Sequence, residues 1–157
     1  RNEISTIKQA LVILGTKESK RFLGLIFAAE INPNKPSELF TTTMIRAKFC
    51  ELSAAELTCQ NDVSLAFLTG LLSLIDAIVD EDLEHILAKL PLAPEIKEPL
   101  LNGKGKLAAL LRLVESLEHA EWQKAGLIMD KLGLKKSNVL ANYNQAITWT
   151  DQQSSVA

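Results

Sequence analysis

The chain has 157 residues, 47% of them hydrophobic and 23% charged, with a net charge of −2. That size suits one domain, and that composition excludes a disordered chain. The near-neutral balance excludes a general electrostatic attraction to nucleic acid or anionic lipid.

The chain opens on Arg1, not Met, with a helix signal already at Ser5, which predicts a piece of a longer protein. Ile4, Ile7, Leu11 and Leu14 fall on one helical face, with Ser5 as a candidate cap and Gly15 as the stop. Thr16 opens a second helix to Glu30, with Phe22, Leu25, Ile26 and Ala29 inward. Pro33 and Pro36 then force a loop. Ser37 caps a third helix reaching Leu57, with Met44, Ala47 and Leu52 on its apolar stripe and Arg46, Lys48 and Glu51 off it. Thr41, Thr42 and Thr43 are poor helix formers within it.

Residues 63–79 carry one charge, Asp76. The stretch is too short and too polar for a membrane span, which needs ~20 apolar residues. A helix apolar nearly all round must be buried on nearly all sides, so this stretch reads as the central helix, capped by Asn61-Asp62. Asp80 is the expected cap of the next helix, with Leu83, Ile86, Leu87 and Leu90 inward and Pro91 as its end. Pro94 starts a short helix to Leu101, which Pro99 should kink or shorten. After the turn at Asn102-Gly103-Lys104-Gly105, the Leu107, Leu110, Leu111, Val114 and Leu117 stripe marks another helix. Trp122, Ala125, Ile128, Met129 and Leu132 mark the next, closed by Gly133. Ser137 caps the last, which carries Leu140, Tyr143, Ala146 and Ile147. No alternating stretch argues for a strand. The expected fold is therefore all-α, a compact bundle of about eight or nine helices. It forms one domain over 1–150, with 151–157 as a polar, disordered tail.

Little in the sequence points to catalysis. Neither His85 nor His119 is followed by Asp or spaced from a second ligand, so both read as solvated surface residues and no metal site or cofactor is expected. Cys50 and Cys59 have no partner motif; Cys50 reads as a small buried hydrophobe. Reduced thiols and the lack of a leader predict the cytoplasm. No nucleophile motif occurs, and Ser64 and Ser73 should bond back to the preceding turn. The Asn102–Lys106 turn lacks the spacing of a phosphate loop. Asp76, a lone carboxylate in apolar surroundings, should pair, with Arg46 or Arg112 as its partner. Trp122 and Trp149 are candidate interaction anchors, although helical spacing places both on apolar stripes. The polar faces of 38–56 and 112–124 are long enough to receive a partner.

Several stretches, in order, resemble the HDOD output domain of bacterial signalling proteins, in the subfamily that follows an EAL domain. They are Ser5–Gly15, Arg46-Ala-Lys-Phe-Cys-Glu-Leu52, Phe67–Ala77, Leu83–Leu92, Glu95–Leu101 and Tyr143-Asn-Gln-Ala-Ile-Thr-Trp149. The resemblance implies an HD-domain-like helical fold without the metal ligands of HD phosphohydrolases, preceded by further helices that this chain lacks. It implies a non-catalytic regulatory or protein-interaction module whose partner is an upstream EAL domain, the part that would bind or hydrolyse cyclic di-GMP. The alternatives are an HD-type metal-dependent phosphohydrolase completed by the missing helices, or a structural domain that forms a homodimer.

Overall fold

The computed structural model describes residues 37–57, 61–90 and 92–154. The expected helices at 4–14 and 17–30, the loop at 32–36, Cys59 and Pro91 lie outside the described residues, as do the side chains of Ser37, Asn61 and Asp62. Among the described residues there are eight α-helices and no strand. They are α1 (Ser37–Leu57), α2 (Asn61–Leu72), α3 (Ile75–Val79), α4 (Leu83–Lys89), α5 (Pro94–Asn102), α6 (Gly105–Glu118), α7 (Trp122–Leu132) and α8 (Lys136–Ser154). The fold is the all-α bundle that the periodicity predicts.

Threonine hydroxyls let α1 run through its weak start. Thr42 and Thr43 donate to the carbonyls of Glu38 and Leu39, each at 2.8 Å, so the hydroxyls are satisfied inside the helix. Helix α1 packs against α2, α6 and α8. A helix covered on several sides has no wide solvent face. Arg46, Lys48 and Glu51 are accordingly buried at 7%, 8% and 7% exposure, which corrects their placement on an open polar face.

The apolar stretch 63–79 is two helices rather than one. The Ser73 amide and hydroxyl both donate to the Gly70 carbonyl, at 3.3 and 2.7 Å, and this tight turn ends α2. Residues 66–72 are nonetheless buried without a break, as their composition demands. Gly70 sits against α1 so closely that a Cβ there would lie 2.6 Å from the Ala47 Cα and 2.7 Å from the Arg46 carbonyl oxygen. Only a residue without a side chain permits that approach.

Helix ends explain four further departures. Asp80 closes α3 in a left-handed conformation, φ 58°, whereas Asp82 is extended and its carboxylate accepts the Glu84 amide at 3.0 Å. Asp82, not Asp80, therefore caps α4. Pro99 does not shorten α5, which continues to Asn102 and stops at Gly103, φ 62°. It removes one amide, whose acceptor would be the carbonyl of the exposed first-turn residue Glu95. Ser137 lies inside α8 rather than capping it, because the Asn138 and Val139 amides already reach the Lys135 carbonyl at 3.0 Å. Helix α8 also runs on to Ser154, through the first residues of the expected tail. Gly133 stops α7 as expected: Leu134 donates to Met129 and Gly133 to Asp130, a Schellman closure with Leu134 buried.

Two apolar clusters fill the bundle. One gathers Phe67, Leu68 and Leu72 of α2 with Ile75, Leu87, Ile96 and Trp149. The other gathers Phe49 and Cys50 of α1 with Leu110, Leu113 and Val114 of α6, Met129 and Val139. Helix α1 supplies Ala47 to the first and Phe49, Cys50 and Ala54 to the second. In α8 Ala146 is buried and Tyr143 packs against the second cluster as expected, but Val139 is the buried residue of the first turns while Leu140 is 38% exposed.

Candidate functional site

Arg46 is the polar centre of the bundle. Its Nε and Nη2 donate to Glu118 Oε1 and Oε2 at 2.9 and 2.7 Å, a two-pronged pairing. Its Nη1 donates to Glu115 Oε1 at 3.2 Å and to Ser73 Oγ at 3.4 Å. One guanidinium thus ties α1, the end of α2 and the last turn of α6. Burial disfavours its charge, but the hydrogen bonds and charge of Glu118, with Glu115 beside it, outweigh burial and hold Arg46 protonated above its ordinary range. Cys50, one turn on, is fully enclosed. Burial pushes its thiol up to about 12, with Arg46 opposing and Glu118 and Glu115 adding to the rise. A thiol held protonated in this way is a packing group and not a nucleophile.

The expected ion pairs of Asp76 do not form with either arginine. Arg46 is engaged by the α6 glutamates, and Arg112 is exposed and donates Nη1 to the Gly103 carbonyl at 2.8 Å. The break after α2 places Asp76 on α3 in a half-buried position, away from a fully enclosed site that would require a partner. Glu115 and Glu118 are functional partners that sequence reasoning missed. Their spacing, i and i+3 on one helix, is the signal that two carboxylates can meet one cation.

The two tryptophans have opposite fates. Trp149 is 5% exposed, packs edge-on against Phe67 at 6.4 Å and lies 5.2 Å from Lys48 Nζ. Lys48 also pairs with Glu51 at 2.9 Å. The Trp149 indole Nε1 is buried with no hydrogen-bond acceptor among the described residues. Trp122 is 61% exposed and so is not a core residue. It occupies the first position of α7, directly after a turn in which Ala120 holds φ 56°, and the helix there has not yet reached the core. His85 and His119 are both exposed, and His119 Nδ1 lies 2.8 Å from the Glu115 carbonyl oxygen. Among the described residues no three His, Cys, Asp or Glu side chains converge as a metal ion requires. No helix among them is long and apolar enough to cross a membrane.

The site is thus a buried structural ion network inside an all-helical bundle, with an exposed aromatic at one helix start. The chain is similar to the cyclic di-GMP phosphodiesterase CdgJ of Vibrio cholerae, 35% identical over 94% of this chain and 34% of that protein. It is also similar to the uncharacterized protein YuxH of Bacillus subtilis, 29% identical over 94% of this chain and 36% of that one. The chain therefore spans about one third of the length of the curated relatives it matches. No family model and no solved structure gives a significant match. The similarity to CdgJ places the chain among the relatives of a cyclic di-GMP signalling protein.

Proposed function

We propose that this chain is a non-catalytic regulatory domain of the HDOD type within a longer, cytoplasmic cyclic di-GMP signalling protein. Its partner in the same polypeptide is an upstream EAL domain, and it passes a change of state to that domain through a packed helical face. The observation that carries this reading is the extent of the match to CdgJ, which covers nearly all of this chain but one third of a protein named a phosphodiesterase. Similarity along nearly all of a helical segment that matches only one third of that protein fits a module beside a catalytic domain. The internal chemistry supports the same reading, because Arg46, Glu115 and Glu118 are spent on one another. Fold kinship alone does not assign a function. Trp122 is the exposed anchor available to a partner, an aromatic type enriched at interface hot spots.

The test is hydrolysis of cyclic di-GMP by the full-length protein with and without this segment. A changed rate on deletion, with the helical domain alone inert, is the expected result. Metal-dependent phosphohydrolase activity in a complete helical domain lacking the EAL domain would overturn it.

A further inference from the structure

A hollow of about 410 Å³ lies where the C-terminal ends of α1 and α7 meet the start of α6. Its apolar wall is Leu57, Ala109 and Leu132, and its charged wall is Lys106, Arg112 and Lys131. Among the described residues no carboxylate lines it, although the chain carries more acidic than basic residues. Among the described residues none of the three cations is in an ion pair. Arg112 is nevertheless positioned: its Nη1 donates to the Gly103 carbonyl at 2.8 Å. The guanidinium is thus set in place by a neutral turn, which leaves its charge uncompensated. Three cations on the wall of one concave hollow focus a positive potential into it. Its size falls within the range of small-molecule sites, which are mostly apolar with a few fixed polar groups.

We propose that this hollow binds a small organic anion, a phosphate ester or similar with a flat or apolar body, as a regulatory ligand of the domain. The anionic group meets Lys106, Arg112 and Lys131, and the apolar body lies on Leu57 and Leu132. Arginine suits this use because its planar fork donates to two phosphate oxygens at once. The proposal is independent of whether the neighbouring domain hydrolyses cyclic di-GMP, because it concerns binding to these side chains alone.

The test is calorimetric titration of the full-length protein with 1-naphthyl phosphate at low ionic strength, beside 1-naphthol and inorganic phosphate. The expected result is saturable binding of the ester, with both fragments at least tenfold weaker. One equivalent of that binding should be lost in the double variant Lys106→Gln/Lys131→Gln. Both lysines are exposed, and unchanged circular dichroism and thermal unfolding of the variant show that the fold is kept. An unchanged number of binding equivalents in the double variant, or the absence of saturable binding, overturns the proposal. Equal binding of 1-naphthol overturns it too, since charge would then play no part.

Discussion

Replacing Arg46 with alanine strands Glu118, whose side chain is 15% exposed, and removes the tie between α1 and α6. Breaking a buried pair from one side costs about 3–5 kcal/mol. Glu115 is 41% exposed and makes the longer contact, so Glu115→Ala should cost under about 1 kcal/mol. Urea unfolding of the two variants reads the difference directly, and equal losses would show that both carboxylates share the charge. Cys50 gives a separate, alkaline signature. Its thiol titrates ordinarily at 9.0 and in the fold at about 12, so between those values the unfolded chain has lost a proton that the folded chain keeps. Stability must therefore be complete below the lower value and fall as pH rises toward the upper one. Tyr143, raised first by burial and then by the charge of Glu118, acts in the same direction. Cys50→Ala should lose less stability than the parent as pH rises from 9.0 toward about 12. Parallel curves for the two proteins would exclude Cys50 as a source of the slope.

At the scale of the helix, two glycines make opposite predictions. Gly70→Ala forces backbone against backbone at 2.6 Å, where no rotamer change gives relief. Overpacking of this kind costs about 1–3 kcal/mol or more. Gly126 lies within α7, and a Cβ there would meet nothing within 4 Å, so Gly126→Ala should stabilise by about 0.5–1 kcal/mol. A denaturant midpoint that does not fall in Gly70→Ala would contradict the packing seen between α1 and α2, and one that falls in Gly126→Ala would contradict the open space beside α7. These elements also mark how far sequence carried the fold. Gly133 as a stop, Pro94 as a start and the Leu107–Leu117 stripe were legible because each acts through its own backbone or spacing. The break at Ser73–Leu74 was hidden, because an apolar run has the same composition whether it is one helix or two. The inward turn of Arg46, Lys48 and Glu51 was hidden for a different reason. Charge reports a solvent face only when there is one, and α1 is flanked by three helices. For the candidate site, the sequence singled out Arg46 but attached it to the wrong carboxylate, since the partner lies 72 residues away on α6.

Across the whole molecule, the two tryptophans act as independent reporters. Trp122→Phe leaves the buried Trp149 as the sole indole, with blue-shifted emission and slow acrylamide quenching expected. Trp149→Phe should leave red-shifted, readily quenched emission from Trp122. A protected Trp122 in the full-length protein would locate the covered face of the domain. The position of α1 has a last consequence. Because Ala47 belongs to one apolar cluster and Phe49, Cys50 and Ala54 to the other, either half of the bundle can loosen while the remaining half still holds α1 in place. Partial opening is then confined to the outer helices and does not reach the middle of this one. The amides of 46–54 should be the slowest in the chain to exchange with deuterium, and their exchange free energy should equal that of complete unfolding.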